Sequence, residues 1–301
     1  MTVDLGTAAR FMTAHARRLD RRRFALLTGA GSPDAVIAAT EAYRNPDGGY
    51  GWGLEPDLRA PESQPGAALH AFEAFADAAP LVTPRARELC DWLATVSLPD
   101  GGVPFALPLA DSTACAPFWA EADPTVSSLQ ITAAVTAAAW RVAEYDSAVA
   151  AHPWLSAATA FCLGAAERVD AGTHAYELMF ALHVLDAVHD HAPAAPALLS
   201  RLIALVPPSG TLPVAGGTED EFLRPLDIAP LLGRPVRAHF DAGVIAADLD
   251  RLAATQGAHG GWEPVWDCYS PAARMEWSGY LTVRNLGILL AHGRASRGDS
   301  G

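Results

Sequence analysis

Glu121 and Asp123 stand two residues apart in Glu121-Ala122-Asp123-Pro124-Thr125, at the end of an apolar and aromatic loop that starts at Asp100. Two carboxyl groups at this spacing in a tight loop can share a proton. A carboxyl kept neutral by burial and by a like-charged neighbour is a strong general acid. Aspartate directly before proline is also a good helix N-cap, so both roles fit Asp123. A second acidic loop, from Gly53 to Pro65, sets Glu55, Asp57 and Glu62 around Arg59, which is more acid than a cap requires. A third stretch carries Asp267 and then Glu276, Tyr280 and Arg284, suited to a polar cluster or to a structural ion pair. Aromatics gather in or just behind these loops: Tyr50, Trp52, Phe118, Trp119, Trp262, Trp266, Tyr269 and Trp277. Aromatic faces stabilise a cation through the ring quadrupole, and they equally well bridge neighbouring helices.

Other chemistries find little footing. His174, His183, His189 and His191 have no acidic partners at ligand spacing, and His15 and His70 read as isolated, packed or solvated residues. Cys90, Cys115, Cys162 and Cys268 are widely spaced with no CxxC pair, which predicts buried free thiols in a reducing compartment. A magnesium-binding DDxxD run, a P-loop and a GxGxxG fingerprint are all missing, so neither a metal nor a cofactor is expected. The acidic run Gly217–Phe222 reads as a solvated loop.

The elements that must position these residues recur. Asp47-Gly48-Gly49, Asp100-Gly101-Gly102, Ser209-Gly210-Thr211 and Gly260-Gly261-Trp262 each open an acidic loop that leads to a proline and a helix start. The intervals from Gly48 to Gly101, to Gly210 and to Gly261 are 53, 109 and 51 residues. One period of roughly 53 fits all four, with one worn copy passed over, and a period of that size signals a repeat architecture.

Helical periodicity covers most of the chain. Helices are expected over 4–28, 33–43, 65–75, 84–96, 124–145, 153–169, 173–191, 194–206, 243–256 and 277–292, with a short one near 226–232. That makes about eleven, with no stretch alternating as a strand should. At two helices per period the chain holds close to six hairpins, which predicts an all-α fold, an α/α toroid whose inner helices surround a central cavity. One domain over 1–293 is expected, with a flexible tail over 294–301. Of the 301 residues, 50% are hydrophobic and 18% charged, and the net charge is −13. Such a field argues against nucleic acid as a partner. Every basic residue is arginine, and the cluster Arg17, Arg18, Arg21, Arg22 and Arg23 reads as a solvated helix face. With no membrane span and no leader in the sequence, a cytoplasmic protein is expected.

The glycine pairs, the aromatics behind them and the acidic loops resemble the terpenoid cyclase and protein prenyltransferase superfamily of α/α toroids. Glu121-Ala122-Asp123-Pro124 resembles the DxDD signature of its proton-initiated (class II) cyclases. Asp123 falls on the proton donor, Glu121 on the first acid, and Pro124 replaces the fourth acid. The resemblance implies protonation and cyclisation or isomerisation of an apolar, isoprenoid-like small molecule. Trp52, Glu55, Asp57, Arg59, Glu62, Phe118, Trp119, Trp262, Trp266, Asp267, Tyr269, Glu276, Trp277, Tyr280 and Arg284 would then line its site. Trp266-Asp267-Cys268-Tyr269-Ser270 is similar to the zinc element of the prenyltransferases but lacks a spacer, and no third ligand follows, so zinc is not expected. A carbohydrate-active toroid with paired carboxylates and a non-catalytic binding or scaffold protein are the alternative expectations.

Overall fold

The structure, a computed structural model, describes residues 3–295, so the expected tail lies outside the described residues from position 296 onward. Among the described residues the fold is all-α apart from one short strand pair. In order it forms α1 (Leu5–His15), α2 (Arg18–Leu27), α3 (Pro33–Thr40), α4 (Pro65–Asp77), α5 (Pro84–Val96), α6 (Pro117–Ala120) and α7 (Leu129–Ala143). Then follow α8 (Ser147–Ala150), α9 (Pro153–Ala166), α10 (Ala175–Ala187), α11 (Ala195–Ile203), α12 (Pro225–Ile228), α13 (Ala242–Ala254) and α14 (Pro271–Ala291). Strands β1 (Leu212–Pro213) and β2 (Phe222–Leu223) pair antiparallel, a correction to the reading of no strand. Among the described residues no helix is long and apolar enough to cross a membrane.

Within the span expected as one domain the chain forms two compact units, one of residues 1–39 with 206–301, the other of residues 40–205. In the first unit α14 packs against α1, α2 and α13, around Phe11, Met12, Leu249, Leu252, Trp262, Leu286 and Leu289. In the second, α7 packs against α4, α9 and α10. Most of α7 is buried, as expected of a helix that is apolar on every face, and its alanines let three neighbours approach.

Three helix boundaries differ from the sequence reading, the first two for tertiary reasons. The expected helix over 4–28 breaks at Ala16 and Arg17, both extended. No breaker residue stands there; a Cβ on Gly279 of α14 would come within 3.1 Å of the Ala16 methyl, so close contact with α14 sets the corner. The helix expected from Asp123-Pro124 begins instead at Leu129, capped by the Ser128 hydroxyl, which accepts from Ile131 N–H. Asp123 is therefore not its N-cap. Residues 123–126 form a local turn closed on Asp123, and the helix starts only after it, because Ser127 bridges to Pro104 and Ser128 N–H donates to Val103 O. Ser270 does cap α14, which starts at Pro271, six residues before the expected 277.

The glycine turns share one hydrogen-bond pattern. Asp47 Oδ1 accepts from Gly49 N–H and Ser63 O–H, at 2.9 and 2.8 Å. Asp100 Oδ1 accepts from Gly102 N–H and Ser127 O–H, at 3.1 and 2.6 Å. Gly48 and Gly101 both have φ near +90°, at 92° and 89°, a conformation that favours glycine. A Cβ on Gly49 or Gly102 would collide with Ser63 or Ser127 and with an aromatic ring, Trp92 or Phe161. At Gly260 the same backbone turn recurs, and there Gly261 closes on Phe11.

Candidate functional site

Proline at α4's first position starts the helix directly after the 45–64 loop, and glycine at its second leaves room for the Trp119 ring. Gln64 clasps the backbone of Leu107, donating to Leu107 O and accepting from its N–H. Glu62 Oε1 accepts from Ala110 N–H, and Asp57 O accepts from Ala116 N–H. Residues 57–64 of the loop are thus tied to residues 107–116. Beneath it Glu55 is buried, with Oε2 2.9 Å from His70 Nε2. Nδ1 of His70 lies 2.9 Å from Glu73 Oε2. Burial alone would lower the His70 pKa, but hydrogen bonds to Glu55 and Glu73 outweigh it and raise the imidazole to about 9. His70 is thus no isolated histidine but a buried cation between two carboxylates, a correction to the sequence reading. Asp57 is also buried, its N–H donating to Glu55 Oε1, and Arg59 is half-buried beside Gly53. This cluster is enclosed, and its geometry is that of a structural anchor.

The aromatics expected to line a site divide between packing and exposure. Trp119 is buried, stacked on Phe105 with centroids 4.4 Å apart, and its ring would meet a Cβ on Gly66 at 3.0 Å. Phe118 and Trp52 are 58% and 59% exposed. Trp52 holds φ at 57°, unusual outside glycine, with Nε1 donating to Asn45 Oδ1. In the first unit Trp262 is buried and donates to Leu252 O, while Trp266, Trp277 and Tyr280 meet edge to face. Asp267 and Tyr269 are exposed, and Glu276 is half-buried. Arg284 pairs with Asp227 at 2.9 Å, the structural ion pair of the two roles open to it, and Tyr280 lies under Arg23.

Glu121 and Asp123 are both exposed. Asp123 Oδ1 accepts from the Thr125 hydroxyl at 2.6 Å and the Thr125 N–H at 2.8 Å. These bonds hold its carboxyl below the usual aspartate range. An alkene-protonating acid needs the opposite setting, a desolvated and neutral carboxyl, so this conformation lends that role no support.

The more promising carboxyl pair lies on the second glycine turn. A hollow of about 350 Å³ is lined by Asp100 and Ser127 from the turn, Phe161 and Arg168 at α9, and Thr173 and Glu177 at α10. Small-molecule sites start near ~300 Å³. Asp100 accepts two hydrogen bonds, as above, whereas burial pushes the half-buried Glu177 carboxyl up, opposed only in part by His174. Arg168 donates to Gly164 O at 3.0 Å and remains exposed. The site therefore offers a hydrogen-bonded carboxyl, a second carboxyl whose pKa burial raises, a guanidinium, a hydroxyl and an aromatic face. At the first turn the buried Trp92 stands where Phe161 stands here. Sequence reasoning named Asp100 only as a turn residue and passed over Glu177, because a single glutamate in a helical stretch carries no signal until a neighbour half-buries it. Among the described residues no group of three or more histidine, cysteine, aspartate or glutamate side chains is placed to hold a metal ion.

A comparison with protein-family models finds no match to the chain, and a comparison with curated proteins finds none either.

Proposed function

We propose that the second unit binds a small hydroxyl-bearing, carbohydrate-like molecule in the Asp100–Glu177 hollow and that these two carboxyl groups act on it. The observation that carries this reading is two carboxyl groups of unlike environment on one concave surface, the arrangement by which one acid donates a proton and the other accepts hydrogen bonds or acts as base. Phe161 supplies an apolar face for a sugar ring, while Arg168, Ser127 and Thr173 match its hydroxyls. The toroidal arrangement belongs to the same proposal and rests on the period of the glycine turns. Saturation-transfer NMR with glucose, maltose and cellobiose as probes tests the reading. Binding that disappears in Glu177→Gln and in Phe161→Ala is the expected result. Absence of binding by all three sugars, or binding untouched by both substitutions, overturns it.

A second proposal keeps the isoprenoid chemistry of the Glu121–Asp123 motif. It is favoured by the aromatic cluster just ahead of that motif, Phe105 stacked on Trp119 with Phe118 edge-on to Phe105 and tilted to Trp119, and it requires Asp123 to become desolvated when substrate binds. Incubation with geranylgeranyl diphosphate decides it. A cyclised product made by the wild type and lost in Asp123→Asn supports it, and no product from the wild type sinks it.

A further inference from the structure

The chain has 34 acidic residues against 21 arginines, yet α2 reverses that balance. Arg18, Arg21 and Arg22 stand at i, i+3 and i+4, so they share one face of the helix. All three are exposed, and their aliphatic stems border a hollow of about 260 Å³. The other two arginines of the cluster are engaged. Arg17 Nε donates to the fully buried Asp20 at 2.7 Å, and Arg23 lies 3.9 Å from the same carboxylate and over the Tyr280 ring. Among the described residues no hydrogen bond or ion pair engages the guanidinium of Arg18, Arg21 or Arg22. Like charges at i, i+3 and i, i+4 destabilise a helix, and cations in its first turns oppose its dipole. These placements leave three repelling cations on a ten-residue helix, although acids are abundant elsewhere. A local conflict left unrelieved in this way marks a functional site more often than a structural one.

We propose that Arg18, Arg21 and Arg22 form a binding site for one phosphate group, free or carried by a small phosphorylated molecule. The planar guanidinium fork matches phosphate oxygens two at a time, and a bound dianion would relieve the mutual repulsion. An extended polyanion is a poor fit, since a chain of net charge −13 would repel it beyond these three residues.

The test is thermal melting and isothermal titration of the full chain with sodium phosphate, with phenyl phosphate, and with sodium chloride at matched ionic strength. The comparison protein is Arg18→Gln/Arg21→Gln/Arg22→Gln, its helicity checked by circular dichroism, with Arg21→Gln alone as the milder variant. Phosphate is expected to raise the wild-type Tm more than chloride does. Its affinity should fall at least about tenfold in the triple variant and partway in the single one. Tighter binding of phenyl phosphate assigns a phosphomonoester ligand, and equal or weaker binding assigns free phosphate. If chloride matches phosphate, or the triple variant binds phosphate as the wild type does, the trio is a solvated helix face and the proposal fails. Because it lies in the first unit, its failure leaves the Asp100–Glu177 reading untouched.

Discussion

His70 was the residue whose surroundings the sequence hid best. Its partner Glu73 is visible as a neighbour on one helix face, three positions on, but Glu55 lies fifteen residues back in the loop and meets it only after the loop folds over α4. The consequence is a measurable pH dependence. The imidazole is protonated up to about pH 9 in the folded chain and up to about pH 6.5 when unfolded. The folded state therefore binds the extra proton between those values. Its stabilising contribution is complete below about pH 6.5 and is lost as pH rises through about 9. Urea unfolding should show stability falling by up to about 3 kcal/mol across that window. His70→Gln should be less stable by about 3–5 kcal/mol at neutral pH, since the buried Glu55 and the half-buried Glu73 lose their shared cation, and the fall above neutrality should be absent from it. A wild-type profile that stays flat from neutrality to about pH 10 would refute the buried-cation assignment.

The elements were largely legible, and their edges were not. Proline before a helical stretch correctly marked the starts of α4, α5 and α9, because proline fits the first helical turn wherever the preceding chain is extended. At Asp123-Pro124 the same signal misled, since that proline lies in a local turn closed on Asp123, and the bonds of Ser127 and Ser128 to residues 103–104 delay the helix to Leu129. Removing the true cap, Ser128→Ala, should cost about 1 kcal/mol, and Asp123→Ala should cost less because Asp123 serves only an exposed local turn. The glycines divide just as sharply. A Cβ on Gly51 would lie 2.2 Å from Glu62 O and 2.4 Å from Pro61 O, both backbone atoms that cannot swing aside. Gly51→Ala should therefore cost about 3 kcal/mol or more. Gly164, inside α9, meets nothing within 4 Å, so Gly164→Ala should stabilise by about 0.5–1 kcal/mol. Thermal melts of the four variants check both pairs. Equal effects at Gly51 and Gly164 would mean that the 51–62 contact is not as close as described.

At the scale of the whole molecule, composition predicted the helical class, because apolar residues at helical spacing and abundant alanine leave few other ways to bury this chain. The site was less legible, since Asp100, Phe161 and Glu177 lie far apart in sequence and are joined only by the packing of α7, α9 and α10. Net charge gives the last prediction. At −13 the folded chain concentrates like charges that the unfolded chain spreads apart, and this self-repulsion opposes compaction. Many arginines already sit in pairs, such as Arg44 and Arg85 with Glu88, and salt weakens those exposed pairs as well. The two effects oppose each other, and the excess of acids decides between them. Each exposed pair contributes only a fraction of a kcal/mol, whereas the excess of thirteen acids acts across the whole chain. Raising sodium chloride from about 0.01 M to about 0.15 M in a phosphate-free buffer shortens the screening length from ~30 to ~8 Å. It should then raise Tm by on the order of 2 °C. A fall in Tm instead would show that the local arginine pairs, and not the net charge, govern electrostatic stability, and would make the unpaired Arg18, Arg21 and Arg22 still more exceptional.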